Sequence, residues 1–384
     1  MLSKRVLQEL IAATKKYPTG LIVLEENEPK FVVVSYDHYQ RTVQARKKSQ
    51  LAAPKKVLVT GGAGYIGSHA ARQLLESGYQ VVSLDNLSTG HREFAQGEFV
   101  EGDLSDLVLL EELFSRHKFD AVMHFAAFIE VEESMKNPLL YFRNNVLNGI
   151  HLLEMCRAHN VKHFIFSSSC TVYGEEATVP ISEEAPLVPV SAYGETKLIF
   201  EKMLRWHAAA HGLQAVSLRY FNAAGASLDA SLGLANEHST LLLPNALHVA
   251  QGSRDVLTIN GNDYPTQDGT AIRDYIHVLD LALAHQFALD YLVENDNGRN
   301  GKFEVFNVGT GKGYSVLEII NAVCEYTGHM VKFEYGPRRP GDRPVVIANP
   351  GKIQRVLGWQ PQYSDLKTII TTAWAWHKKR FGNF

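Results

Sequence analysis

Three glycines in Thr60-Gly-Gly-Ala-Gly-Tyr-Ile-Gly67 constrain this chain early and tightly. They stand at 61, 64 and 67, between the apolar run Val57–Thr60 and a helical pattern from about Ile66 to Ser77. Gly61 permits a tight turn after a strand, Gly64 a close backbone approach to a pyrophosphate, and Gly67 close packing of helix on sheet. The first N–H groups of the helix then face the phosphates. A turn alone would account for such a triplet, so its setting matters. A second apolar run, Val81–Leu84, ends at Asp85, 18 residues after Gly67, where a carboxylate binds the adenosine ribose hydroxyls. That charge repels a 2′-phosphate, so the expected cofactor is NAD rather than NADP. Asp103, after a third strand-like segment, is a candidate for the adenine edge.

From Lys55 onward strands and helices alternate, which predicts helices wrapped around a parallel sheet. Ala121–Phe125 reads as a strand ending at Ala126-Ala127, Tyr141–His159 as one long helix, and His163–Ser169 as a strand. Tyr193–His211 reads as a helix and Ala215–Tyr220 as the next strand. Beyond Ala223 the alternation loosens, with loops expected around 226–240 and 260–273. The expected fold is α/β: a Rossmann-type doubly wound parallel sheet over residues 55–222 and a smaller α/β substrate domain mainly over 223–384. Later segments are expected to return to the sheet.

Residues 1–54 read differently. Nine Lys/Arg stand against five Asp/Glu in residues 1–53, in a chain of formal net charge −3. A helical pattern (Val6, Leu7, Leu10, Ile11) precedes a strand Leu21–Leu24, a polar turn Glu25–Lys30 and a strand Phe31–Ser35. Tyr36–Gln40 would open another helix, and a basic Ala/Pro segment near 46–56 has linker character. This small α+β extension resembles the antitoxin fold of the Phd/YefM kind. The other reading is an extension that packs on the main body.

The remaining composition narrows the function classes. The weak net charge gives no general reason for nucleic-acid or membrane binding. The start lacks a signal-peptide core, and no run of about 18 apolar residues would span a bilayer. Cys156, Cys170 and Cys324 lie far apart without CxxC spacing, so neither zinc nor a disulfide framework is expected. Unpaired thiols fit a reducing compartment, with the cytoplasm as default.

Tyr193-Gly-Glu-Thr-Lys197 sets a phenol and an ammonium four apart at a helix start, on one face. A buried cation beside a phenol lowers its pKa and makes tyrosine a usable base. The Ser167-Ser-Ser169 strand end would bring a hydroxyl to the same cleft. Arg273 and Arg339 carry guanidinium forks that match diphosphate oxygens.

With these residues in order, the chain resembles the extended short-chain dehydrogenase/reductase superfamily, and within it the UDP-galactose 4-epimerases. The likeness runs from Lys55 to about Trp376, through such phrases as His124-Phe-Ala-Ala127, Thr171-Val-Tyr-Gly174, Arg219-Tyr-Phe-Asn222 and Arg338-Arg-Pro-Gly-Asp342. The resemblance implies an isomerase that keeps NAD bound and passes through a 4-keto sugar. Tyr193 would take the 4-hydroxyl proton, Lys197 would bind the nicotinamide ribose and hold Tyr193 anionic, and Ser169 would bond O4. It further implies cofactor contacts at Gly61, Gly64, Tyr65, Ile66, Gly67, Asp85, Asn86, Ser88, Asp103, Leu104, Phe125, Ala126, Ala127, Asn144, Ser167, Tyr220 and Phe221. UDP-sugar contacts would fall on Asn222, Leu242, Thr258, Asn260, Arg273, Arg339, Asp342 and Val346. A homodimer built from the helices near 141–159 and 193–211 is also implied.

Two positions depart from well-known bacterial relatives: Ile129 where a lysine often stands, and Val346 where some carry a bulky tyrosine. A 4,6-dehydratase on the same scaffold would need an added Asp-Glu pair, and Ser168-Ser-Cys-Thr-Val-Tyr173 has no carboxylate. UDP-arabinose, UDP-glucuronate and UDP-N-acetylhexosamine epimerases share the motif set. An NAD-sensing regulator with a DNA-binding N-terminal module is the reading from another class, disfavoured by the intact Tyr193, Lys197 and Ser169.

Overall fold

The computed structural model describes residues 21–25, 28–33, 55–236, 239–296, 301–339 and 341–382. The chain divides into two compact units, Met1–Pro54 and Lys55–Phe384. In the first, Leu21–Glu25 runs antiparallel to Glu28–Val33, with a register shift between Val23 and Leu24. The expected polar turn is shorter than Glu25–Lys30, because the second strand already begins at Glu28. Pro29 falls beside the shift, where a residue without an N–H costs the ladder least. The helices expected before and after this hairpin, and the end of its second strand, lie outside the described residues.

The larger unit is built on seven parallel strands: β1 (Lys56–Thr60), β2 (Gln80–Asp85), β3 (Glu98–Glu101), β4 (Ala121–His124), β5 (His163–Ser169), β6 (Gln214–Tyr220) and β7 (Lys302–Val308). Their spatial order is β3-β2-β1-β4-β5-β6-β7. The chain thus winds outward from β1 in one direction and from β4 in the other, the Rossmann arrangement expected from the sequence. A crevice opens beyond the strand ends where the winding reverses.

Buried strands alternate apolar side chains between two covered faces. Val57, Val59, Met123, Ile165 and Leu218 join a cluster with Ala71 and Leu74 of α1 (Tyr65–Glu76). Leu58, Val82, Val122, Phe164 and Phe166 point the other way. They meet Leu110 and Phe114 of α2 (Leu107–His117), Leu152 of α3 (Asn148–Ala158), and Phe200 and Leu204 of α4 (Ala192–His211). Phe200 is wholly buried with its ring 4.4 Å from that of Phe166, which seats α4 on the sheet directly below the strand ends. The later helix α5 (Val278–Asn295) covers the first face through Leu281, Ala284 and Leu289.

The helix expected over Tyr141–His159 is interrupted. Pro138–Tyr141 leads into a wider π turn at Phe142–Leu147 before α3 resumes at Asn148. The cause sits inside that turn. Asn145 is buried, accepts the Phe128 N–H (2.9 Å), and donates to the Phe128 carbonyl (3.0 Å) and to Thr196 Oγ1 on α4 (3.1 Å). The extra residue in the turn lets one side chain tie the loop after β4 to α4, a common use of π turns near functional sites.

Beyond the sheet, Ile272–His277 begins within the loop expected over 260–273 and acts as a hub. It pairs with Asn222–Ala224, Gly313–Ser315 and Val345–Val346, which gathers Asn222, Arg273 and Val346 into one neighbourhood. Among the described residues no helix is long and apolar enough to cross a membrane.

Candidate active site

A cavity of about 1530 Å³ lies beyond the strand ends of the larger unit. Its floor begins at the glycine loop. Gly61 takes a φ of +72°, and a Cβ there would lie 2.7 Å from the Ala126 N of the loop after β4. A Cβ on Gly67 would overlap the Gly61 carbonyl oxygen. These glycines therefore bring two loops and a helix start together at the point where the winding reverses. Helix α1 has no side-chain cap and no acid in its first turn, which leaves its N-terminal dipole directed at the cavity. A dinucleotide pyrophosphate fits such a cradle.

Gly64, Tyr65, Ile66, Asp85, Asn86, Ser88, Asp103, Leu104, Phe125, Ala126, Ala127 and Asn144 line this end. Asp85 is 8% exposed; its carboxylate accepts the N–H groups of Ala63 (3.0 Å) and Leu87 (2.9 Å), which fix it against the glycine loop. Asp103 accepts from Asn86 Nδ2 at 2.5 Å, joining two of the expected cofactor residues.

Ser167, Ser169, Tyr193, Tyr220 and Phe221 line the middle. Helix α4 starts at the cap Ser191, whose hydroxyl accepts the Gly194 N–H (3.1 Å), and the buried Ser134 hydroxyl accepts the Tyr193 N–H (3.1 Å). The Tyr193 backbone is thereby held from two elements. Ser169 Oγ accepts both the N–H (3.2 Å) and the hydroxyl (3.0 Å) of Thr171. Its own proton is left to hydrogen-bond the Tyr193 phenol.

Lys197 is the exception among the expected site residues, because it does not line the cavity. It is 3% exposed, sits behind Tyr193 with Nζ 5.7 Å from that ring, and donates to the Ser167 carbonyl at 2.8 Å. Burial pulls its pKa down to about 7, against the opposing charge of Glu201. The Tyr193 phenol is not lowered as the sequence led us to expect. Burial pushes it up, and the Ser169 hydrogen bond opposes that rise only in part. Both groups lose solvation together, so neither charged form is favoured by protein atoms alone.

Asn222, Leu242, Thr258, Asn260, Arg273, Arg339, Asp342 and Val346 line the far end. Arg273 is paired with Asp342, and Arg339 Nη2 reaches the Thr240 carbonyl at 3.5 Å. Ile129 lines the cavity and is 57% exposed.

Several lining residues escaped the sequence reading. Arg254 and Arg343 add two guanidinium groups to the far end, and Glu130 adds a carboxylate that acts on Tyr193. Arg343 directly follows Asp342, so its neighbour was a usable signal; Arg254 and Glu130 stand in no such phrase. A second Tyr-x-x-x-Lys pattern, Tyr363–Lys367, lines no part of the cavity and straddles the helix cap Asp365. The cysteines are free, and among the described residues no group of His, Cys, Asp and Glu would hold a metal.

Comparison with known proteins agrees with this geometry. A family model described as GDP-mannose 4,6 dehydratase matches residues 58–372. Cys170 and Thr171 line the cavity at the positions where the sequence leads us to expect an Asp-Glu pair in a dehydratase. UDP-glucose 4-epimerase of Lacticaseibacillus casei is 49% identical over 324 residues, 84% of this chain and 96% of that protein. The crystal structure of UDP-glucose 4-epimerase from Brucella ovis in complex with NAD aligns with a TM-score of 0.80 at 46% identity, covering 84% of this chain and 98% of that one. The UDP-Glc/GlcNAc 4-epimerase of Campylobacter jejuni aligns at 0.73 and 46%, covering 85% and 99%. With this extent of identity across nearly the whole of those proteins, the chain belongs to the UDP-glucose 4-epimerase family.

Proposed function

We propose that this chain interconverts UDP-glucose and UDP-galactose with NAD as resident cofactor, and that it also accepts the corresponding UDP-N-acetylhexosamines. The observation that carries the reading is the Tyr193 phenol, hydrogen-bonded by Ser169, in a cavity shared by the glycine loop and a cluster of arginines. Residues 55–222 would chiefly hold the cofactor and 223–384 the sugar nucleotide.

NAD, when bound, supplies the acceptor that takes the C4 hydride and returns it. Tyr193 removes the O4 proton as the carbonyl forms at C4 and gives it back on the return. Ser169 donates to the oxygen that carries charge during this exchange, because Thr171 already occupies its acceptor positions. Lys197 acts from behind: its charge stabilises the Tyr193 phenolate without touching the cavity. Arg273, Arg339 and Arg343 hold the diphosphate while the sugar turns to present its other face, and a cavity of about 1530 Å³ has room for that rotation.

Substrate breadth rests on Val346. It lines the cavity, pairs with Arg273 through the backbone, and packs beside Phe221 and Ala348. Valine leaves space that a tyrosine ring would fill, and the relative from Campylobacter jejuni carries a name that spans both sugar types. The exposed Leu139, Leu147 and Trp206, on the 138–158 segment and on α4, support a homodimer through these helices. Chromatographic resolution of the UDP-hexose products tests the reading, starting from either epimer. Failure to interconvert UDP-glucose and UDP-galactose would overturn it.

A further inference from the structure

Beneath the cavity, α4 and the end of β5 are joined by a buried polar network. Tyr193, Lys197 and Glu201 stand at successive fourth positions of α4 and share one face. Each engages one residue of Ser167-Ser168-Ser169. Ser169 bonds the Tyr193 phenol, Lys197 Nζ donates to the Ser167 carbonyl (2.8 Å), and Glu201 Oε1 accepts the Ser168 hydroxyl (2.6 Å). Strand alternation explains the division of labour. Ser167, Ser168 and Ser169 all border the cavity, and the Ser168 hydroxyl is the one that turns to the Glu201 carboxylate.

Glu201 is 3% exposed and fully engaged. Besides Ser168 it accepts from Ser217 Oγ (2.9 Å) and from Arg219 Nε (2.9 Å) and Nη2 (2.5 Å), both on β6. Arg219, 2% exposed, also donates to the Tyr173 hydroxyl (2.9 Å), which in turn donates to Asn307 Oδ1 on β7 (2.6 Å). One carboxylate therefore ties α4 directly to β5 and β6, and through Arg219 and Tyr173 to β7. An ion pair this deeply buried is a costly way to add stability, since apolar residues of similar volume often do as well.

We propose that Glu201 is a positioning residue for the reaction: through Ser168 and Arg219 it holds the reacting face of α4 in register with Ser167–Ser169, and its negative charge faces Lys197 from one helical turn away. The proposal rests on the epimerase reading of the same site. Two consequences follow. Loss of the Ser168 tie loosens the Tyr193–Ser169 contact and lowers turnover more than substrate binding. Loss of the Glu201 charge makes Lys197 easier to deprotonate, because that charge is the one opposing burial at Lys197. The other titratable groups that act with Lys197 are Tyr193 on its own helix and His124 on β4, and Tyr220 on β6 in turn acts with Tyr193. Burial holds His124 neutral at about 3 and Tyr220 protonated, so neither titrates with Lys197.

The test uses the full-length enzyme with NAD. The Lys197 side-chain titration is followed by NMR with labelled lysine, assigned by its loss in Lys197→Met, and kcat and KM are measured for UDP-galactose. Glu201→Gln keeps the side-chain shape and removes the charge. The expected result is a Lys197 midpoint lower by about one pH unit, with kcat reduced at least roughly tenfold and KM little changed. Ser168→Ala keeps the charge pair; kcat should fall several-fold at unchanged KM, with the Lys197 midpoint in place and Tm lowered by only a few degrees for the lost hydrogen bond. An unmoved midpoint in Glu201→Gln, or wild-type turnover in Ser168→Ala, overturns the proposal. If Glu201→Gln does not fold, Ser168→Ala decides alone on the same criterion. An inactive wild-type enzyme would defeat the epimerase reading instead, and the NMR midpoint would still judge the network.

Discussion

Replacing Lys197 by methionine should make the protein more stable while nearly abolishing its activity. The ammonium is 3% exposed, and burial lowers its pKa from 10.5 to about 7. At about 1.4 kcal/mol per unit, that shift means the charged form costs the fold on the order of 4–5 kcal/mol. Methionine fills much of the same volume without a charge, at the loss of one hydrogen bond to Ser167 worth about 1 kcal/mol. Glu201 keeps Arg219 as its partner, so the change leaves no buried charge unpaired, and the net gain of roughly 3–4 kcal/mol should raise Tm by several degrees at pH 6–7.

The sign of the pH dependence is fixed by the direction of the shift. Below about pH 7 Lys197 is protonated in both the folded and unfolded states, and the fold bears the full cost. Between there and 10.5 the unfolded chain holds a proton that the folded one has released, so the cost shrinks as pH rises. At pH 9 only about 2 kcal/mol of it remains. The advantage of Lys197→Met should therefore be largest near pH 6–7 and fall by more than half at pH 9. Thermal unfolding of both proteins at one fixed NAD concentration measures it. A variant less stable than wild type at pH 7, or an advantage that grows toward pH 9, would refute the reasoning.

Tyr193→Phe should fold and retain NAD but lose roughly two to four orders of magnitude in kcat, the usual range for a missing acid–base group; near-normal turnover by the purified variant would sink its role as base. Val346→Tyr should suppress turnover of UDP-N-acetylglucosamine far more than that of UDP-glucose, read as a change in the ratio of kcat/KM values. Equal losses for the two sugars would dismiss Val346 as a determinant of breadth. A chain begun at Ala53 should fold and epimerise at close to the full-length rate; an insoluble product would mean that the first 52 residues complete the enzyme body.

The parts of this enzyme that were legible in its sequence are those set by local chemistry. A turn with a positive φ at Gly61 and a helix packed against the Gly61 carbonyl demand glycine, so the cofactor loop announces itself. Strands buried on both faces read as apolar runs, so the Rossmann core was visible. The substrate end was reached through family phrases, and its gathering depends on Ile272–His277 pairing with three distant strands. No local pattern records that pairing. The π turn was missed because Asn145 acts on Phe128 and Thr196, neither of which lies in its own helix. The Tyr193–Lys197 spacing predicts one helix face and a buried cation beside the phenol, but the resemblance also implies a contact with the nicotinamide ribose, whereas the lysine does not line the cavity. Its placement behind the tyrosine follows from the Ser167 carbonyl, which only the folded sheet supplies. Glu201 continues the same four-residue spacing and was readable in principle; its partners Ser168, Ser217 and Arg219 lie on other elements.

The most direct test of 4-epimerisation is to follow the hydrogen on C4. UDP-galactose carrying deuterium at that carbon would be incubated with the purified enzyme in ordinary water and the UDP-hexoses analysed by mass spectrometry. A hydride that leaves C4 and returns within one closed site predicts UDP-glucose with the deuterium retained. Loss of the label to solvent, or a product lighter by one water, would contradict the account.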